Sequence, residues 1–188
     1  MVVVMLASVL PAQERVAPRD AFWAHLSALC QTAAADGTLL AAPPGDTQVD
    51  ASARLVVHFW QCGKDELRFP FHVGENRSRT WTIIRHPDSL ELRHDHRHAD
   101  GSEESNTWYG AFTQSEGTAF QQEFVSEREG VLRGWRITVE PGRRYEYGTI
   151  ADGKWRHHLR FDLTAPVSPP PLPWGHETRP SQRPSQRP

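Results

Sequence analysis

The chain has 188 residues, of which 38% are hydrophobic and 23% are charged, a composition typical of one globular domain. Lysine and arginine number 21 against 23 aspartate and glutamate residues, which gives a formal net charge of −2. Nucleic-acid-binding domains are usually strongly basic, because contacts with phosphate supply most of their affinity. The charge therefore argues against nucleic acid as a partner.

An apolar segment opens the chain. Residues 1–10 are apolar apart from Ser8, and the sequence Pro-Ala-Gln follows them. This pattern predicts a truncated signal segment over residues 1–12, with cleavage after Ala12, and hence a bacterial protein that is periplasmic or secreted. A frayed apolar N-terminus is the alternative. The segment is far too short to span a bilayer, so no transmembrane segment is expected.

One helix is predicted next. Apolar residues recur at intervals of three and four positions: Phe22, Leu26, Leu29 and Ala33. Asp20 precedes them and is a residue type that caps helices, while Asp36-Gly37 is a signal that ends them.

The two cysteines, Cys30 and Cys62, have no neighbours at the spacing of metal ligands. In an exported protein such a pair is expected to form a disulfide. Two buried free thiols are the alternative.

From Thr38 onward the apolar period changes to two, and turn residues arrive every eight to twelve positions, the pattern of an antiparallel all-β domain. Ten strands are predicted, over residues 38–42, 54–61, 66–73, 79–86, 89–98, 103–112, 118–125, 134–140, 143–150 and 155–163. Sequential hairpins avoid exposed edges by closing on themselves. We therefore expect a single up-and-down meander closed into a barrel of 8–10 strands, of the lipocalin or fatty-acid-binding kind, in a domain over residues 18–165. A two-sheet sandwich, the competitor, needs longer connections.

A histidine stripe lies on one predicted strand. Because strand side chains alternate, Leu90, Leu92, His94, His96 and His98 share one face, and the histidines continue the apolar stripe into the barrel. A turn at Pro87-Asp88 pairs Ile83 with Leu92, Trp81 with His94 and Arg79 with His96. A two-residue turn at Asp100-Gly101 pairs His98 with Glu103, His96 with Ser105 and His94 with Thr107. The sequence therefore predicts a pocket that is apolar below and polar at its mouth, with these ligand-binding residues: Arg79, Trp81, His94, His96, His98 and Glu103.

Two of these histidines have the chemistry of metal ligands. His94 and His98 are about 13 Å apart along a strand, so the three imidazoles cannot share one ion. The best set is His96 and His98 with Glu103 across the hairpin, which would hold Zn, Mn or Fe and leave a position for water. This spacing, continued to Gly110, partly resembles the first motif of the cupin family.

Three functions remain open on these residues. The first is a non-enzymatic, exported barrel that binds a small amphipathic or anionic molecule. The second is an enzyme in which the His96, His98 and Glu103 metal site activates water. The third is an envelope interaction module that uses the outer sheet face and the Pro/Arg-rich tail over residues 166–188, which is expected to be largely disordered.

Several sequence features occur together: Phe22-Trp23 through Leu29-Cys30, residues 68–74, residues 78–81, residues 92–98 leading into Asp100-Gly101-Ser102-Glu103, Phe161-Asp162-Leu163, and Pro173-Trp174-Gly175. The combination resembles a family of exported bacterial proteins of uncharacterised activity that carry an HDHRH-x-DGSE hairpin. The resemblance implies export and the hairpin, and it implies no chemistry.

Overall fold

A computed structural model describes residues 16–177, most of which belong to one antiparallel sheet. Helix α1 (Pro18–Ala28) comes first and continues as a short 3-10 helix (Leu29–Gln31). The strands are β1 (Ala34–Ala41), β2 (Leu55–His58), β3 (Gln61–Cys62), β4 (Glu66–Val73), β5 (Asn76–Arg85), β6 (Leu90–His96), β7 (Tyr109–Phe112), β8 (Gln121–Arg128), β9 (Val131–Glu140), β10 (Arg144–Ala151), β11 (Lys154–Trp155) and β12 (His158–Asp162). The predicted signal segment, and the tail beyond residue 177, lie outside the described residues.

The sheet is nearly closed into a barrel. Its strand order is β7-β6-β5-β4-β2-β1-β12-β10-β9-β8, while β3 pairs with β4 and β11 with β10. An antiparallel bridge between Thr113 and Phe124 brings the two ends of this order together. The prediction of an all-β, up-and-down barrel preceded by one helix is therefore confirmed, with ten strands along the main path.

Helix α1 packs at one end of the barrel. Its residues Phe22 and Leu26 are fully buried in the core. Asp20 was predicted to cap the helix, but it does not. It lies in the first turn, and its carboxylate accepts a hydrogen bond of 2.7 Å from Arg85 at the end of β5. Pro18 starts the helix instead, because its fixed φ suits the first helical position, where its missing N–H has no helical partner to lose.

Asp36-Gly37 was predicted to end the helix, but Gly37 lies within β1. A Cβ atom at this position would lie 2.5 Å from the ring of Phe161, which is fully buried on β12. Glycine is therefore required by packing rather than by a turn. Of the predicted strand over residues 103–112, only Tyr109–Phe112 forms, because residues 104–108 leave the sheet and Trp108 takes a positive φ of 58°.

No helix within residues 16–177 combines the length and the apolar character needed to cross a membrane.

Candidate functional site

A cleft of about 940 Å³ opens at the end of the barrel opposite α1. Its walls come from the strand ends that meet there, which are the starts of β5, β9 and β12 and the ends of β4, β6, β8 and β10. One side is formed by the β1–β2 loop, residues 42–54, which contributes Pro43, Asp46 and Val49 among others. The nearly closed barrel thus has an open cleft at this end.

Five rings form the base of this cleft, called the aromatic floor below: Trp81, His94, Tyr109, Trp135 and Tyr147. Trp81 and Tyr147 stack with ring centroids 3.8 Å apart, and His94 stacks on Tyr109 at 4.7 Å. Inward-facing positions of β5, β6, β7, β9 and β10 supply one ring each. The floor presents flat, weakly polar ring faces, which suit a planar hydrophobic group.

His94 is locked in one tautomer within the floor. Its Nδ1–H donates to the carbonyl oxygen of Tyr109 at 3.1 Å, and its Nε2 accepts a hydrogen bond of 2.5 Å from the Tyr147 hydroxyl. Burial lowers the pKa of His94 to about 3, and the charges of His96 and Arg79 act in the same direction. His94 is therefore neutral near pH 7, and both of its ring nitrogens are already occupied.

His96 lies next to it and is less buried, with 14% of its side chain exposed. The Tyr109 hydroxyl donates to His96 Nε2 at 3.1 Å, and Glu104 lies 3.8 Å from Nδ1. Burial lowers the pKa of His96, and the charge of Arg79 lowers it further, although Glu104 opposes this. Both His94, in the floor, and His96, beside it, therefore have pKa values below that of a free imidazole.

One wall of the cleft, called the cationic wall below, is lined by arginines. Four arginines line it: Arg79, Arg128, Arg133 and Arg156. Fifteen arginines lie within residues 16–177, and eleven of them have a carboxylate oxygen within 4.0 Å. The four arginines with no carboxylate that close, among the described residues, are the four that line the cleft.

One acidic residue faces these cations. Asp46, on the β1–β2 loop, has its Oδ2 atom 2.9 Å from His157 Nε2, and both side chains are largely buried. The carboxylate lies off the axis of the ring N–H, so the two groups make a close polar contact rather than a straight hydrogen bond. Burial alone would raise the pKa of Asp46, but the Gln48 amide, His157 and Arg79 together lower it.

Four of the six predicted ligand-binding residues meet in the cleft: Arg79, Trp81, His94 and His96. The structure pairs Arg79 with His96 and Trp81 with His94, as the Pro87-Asp88 turn predicts. His98 and Glu103 do not join them. Both are exposed, because β6 ends at His96 and the chain beyond it turns out of the barrel.

The predicted metal set of His96, His98 and Glu103 is not brought together. Glu103 binds on the outer side, where it accepts hydrogen bonds from Arg97 at 3.2 Å and from the Trp108 indole at 3.0 Å. Within residues 16–177 no group of three histidine, cysteine, aspartate or glutamate side chains is arranged to hold a metal ion.

The C-terminal segment covers part of the outer face of the sheet, which points away from the barrel interior. The part of the predicted disordered tail that is described, residues 166–177, lies along the barrel wall and is called the C-terminal strap below. His176 lies 3.1 Å from the carboxylate of Asp95, and Arg77 donates to the carbonyl oxygen of Leu172 at 2.8 Å. These polar contacts and the burial of Pro173 hold the strap against the sheet.

Sequence reasoning missed most of the cationic wall and the whole loop. Arg128, Arg133, Arg156 and His157 lie on strands and turns distant in sequence from the histidine stripe, and only barrel closure brings them together. One signal was available: in an up-and-down meander these residues, at the end of one strand or the start of the next, lie at the same end of the barrel as the end of β6.

Cys30 and Cys62 are paired, as predicted. Their Cα atoms are 6.3 Å apart, and the sulfur atoms are at bonding distance. The bond ties the end of the α1 region to β3 at the sheet edge.

Comparison of the chain with protein-family models, with curated proteins and with solved structures gives no match.

Proposed function

We propose that this protein binds a small amphipathic anion in the cleft, with the hydrophobic part on the aromatic floor and the acid group among the arginines. The carrying observation is the distribution of ion pairs. Arginines elsewhere on the described chain have carboxylate partners, whereas Arg79, Arg128, Arg133 and Arg156 have none and share one cavity wall. A ligand anion would supply the missing negative charge.

The floor supports the hydrophobic half of this ligand. The Tyr147 hydroxyl bonds to His94, and the Tyr109 hydroxyl bonds to His96. A ligand group that lies on Tyr147, His94 and Tyr109 therefore breaks none of these hydrogen bonds, and it gains ring stacking and apolar burial. A volume of about 940 Å³ accommodates a molecule of two or three fused rings.

Fluorescence titration with 1-anilinonaphthalene-8-sulfonate tests the proposal, since this probe joins two aromatic groups to one sulfonate. The uncharged N-phenyl-1-naphthylamine has nearly the same rings and serves as the matched ligand. We expect the anion to bind several-fold more tightly at low salt and to lose this advantage at about 0.5 M salt.

Paired variants localise the binding. Arg133→Gln combined with Arg156→Gln should weaken binding of the sulfonate by roughly tenfold, while Arg143→Gln, which removes an exposed arginine paired with Glu140, should leave it unchanged. Equal effects of the two sets, or equal affinity for the charged and uncharged probes, would refute an anion site in the cleft.

The compartment is part of the same proposal. We infer that the protein acts outside the cytoplasm, in the periplasm or after secretion, and the Cys30–Cys62 pair supports this because disulfides persist in oxidising compartments. Intact mass of protein isolated from its native host should be about 2 Da below the fully reduced value. Two alkylatable thiols in that protein would contradict export.

The other two functions have less support. A water-activating metal enzyme needs His98 and Glu103 in the cleft, and both lie outside it. An interaction module on the outer face would use that face's arginines, but these are paired with neighbouring carboxylates such as Glu91, Glu123 and Glu146.

A further inference from the structure

Asp46 lies at the cationic wall but belongs to the β1–β2 loop rather than to a strand. Among the residues of the described chain that line the cleft, it is the only acidic one. Its carboxylate contacts His157, and the charge of Arg79 acts on it as well. An anion is therefore already present where the proposed ligand would place its acid group, and it belongs to the protein.

The segment that carries Asp46 also engages Arg79. The guanidinium of Arg79 donates to the carbonyl oxygen of Gln48 at 2.9 Å, two residues after Asp46. Asp46 in turn accepts a hydrogen bond of 2.8 Å from the Gln48 amide. The β1–β2 loop thus covers two basic side chains of the cleft, His157 and Arg79, with one carboxylate and one carbonyl group.

The remainder of this loop is weakly held. Most residues from 42 to 54 are exposed, and of the loop's apolar side chains Val49 packs against the core. Gly45 has a φ of +76°, and a Cβ atom there would meet no atom within 4 Å. Asp50 caps its own turn by accepting from the amide of Ser52. The loop can therefore leave the cleft without loss of a strand pairing.

His157, by contrast, is fixed from the other side. Its Nδ1 lies 2.8 Å from the Thr149 hydroxyl, and its backbone N–H donates to the same oxygen at 3.1 Å. Thr149 is on β10, within the sheet. The imidazole is therefore held in place whether or not Asp46 faces it.

From this arrangement we propose that Asp46 is an internal substitute for the ligand's acid group. The acid group of the ligand binds His157 and Arg79 in place of the Asp46 carboxylate and the Gln48 carbonyl, and the β1–β2 loop moves away from the cleft. The site then selects molecules with one compact anionic group, a carboxylate or sulfonate, joined to a planar hydrophobic body. This assignment rests on the function proposed above.

The matched pair Asp46→Asn and Asp50→Asn tests it, because both aspartates lie in the same loop and each accepts a backbone N–H two residues later. Asparagine retains an oxygen for that bond, and thermal melts check that both variants fold. With 1-anilinonaphthalene-8-sulfonate as the probe, Asp46→Asn should lower the Kd by roughly threefold to tenfold, since one like charge is removed from a partly buried site. Asp50→Asn should leave the Kd unchanged.

Hydrogen exchange supplies the second readout. In the wild type, saturating probe should speed amide exchange in residues 45–50, because the loop is displaced. Equal Kd values for the two variants, a higher Kd for Asp46→Asn, or slower exchange of the loop with probe would each overturn the displacement while leaving ligand binding intact. If the wild type and every variant fail to bind the probe, the proposed function itself fails.

Discussion

Replacing His72 with phenylalanine should reduce the protein's sensitivity to acid. His72 lies on the outer face of β4 and is only 2% exposed. It lines a second, smaller cavity of about 350 Å³ between the sheet and the strap residues 168–171, together with Arg54, Glu75 and Arg77. Within residues 16–177 no group hydrogen-bonds its Nε2 atom. Protonation would therefore place a charge on a buried ring whose Nε2 atom has no hydrogen-bond partner.

The size of the effect follows from its pKa. Burial lowers the pKa of His72 from 6.5 to about 4, and the nearby His58 and Arg77 contribute. Because the folded value is the lower one, the unfolded chain takes up the proton first as the pH falls below 6.5. Stability is thus lost between about pH 6.5 and pH 4, and little more is lost below. Between pH 7.5 and pH 4.5 the loss from this one group is about 2.5 kcal/mol.

Urea denaturation at pH 7.5 and pH 4.5 measures the loss for each protein. Other buried histidines also titrate, so the informative quantity is the difference between the two proteins. The wild type should lose about 2 to 2.5 kcal/mol more than His72→Phe. Equal losses would show that His72 is hydrated in the folded state, and the argument from burial would be refuted.

Three further changes test the packing. Gly37→Ala should destabilise the fold by about 1 to 3 kcal/mol in the same assay, because the new methyl group overlaps the Phe161 ring; an unchanged midpoint would contradict the close approach. Replacing both Cys30 and Cys62 with alanine should cost about 3 to 4 kcal/mol, from the 32-residue separation that the bond closes, and a change below about 1 kcal/mol would argue against the bond. Asp95→Asn should speed proteolytic release of the strap at neutral pH, and unchanged cleavage would mean that this carboxylate does not anchor it.

The first histidine hairpin could be predicted residue by residue. The alternation of β5 and β6 fixed which side chains face the core, and the Pro87-Asp88 turn fixed the register. The pairs Ile83–Leu92, Trp81–His94 and Arg79–His96 are all present. Local signals sufficed here because a short turn and a strong apolar stripe specify the same register.

The second hairpin could not be predicted in this way. His94 pairs with Tyr109 rather than Thr107, and the bridge near the turn joins Arg97 to Glu103. Five residues leave the sheet between these points, and none of them is a glycine or proline that would mark the break. Gly110 fixes the register instead, since a Cβ there would lie 1.7 Å from the Leu92 carbonyl oxygen. This constraint arises from the neighbouring strand and is invisible in sequence.

Alternation alone did not predict burial on the outer face of β6. Glu91 and Asp95 occupy outward positions, yet they are only 5% and 2% exposed. For Asp95 the cause is the strap, whose His176 reaches its carboxylate. Alternation predicts which face a side chain takes, but it predicts burial only when nothing later in the chain covers that face.

Each face of the sheet therefore holds a buried histidine that is neutral near pH 7. Burial lowers the pKa of His72, under the strap, to about 4 and that of His94, in the aromatic floor, to about 3. Because both folded values lie below the unfolded one, protonation of either ring costs stability as the pH falls below about 6.5. His72 lines the cavity under the strap and His94 lines the cleft, so acid acts on both faces of the sheet through separate groups.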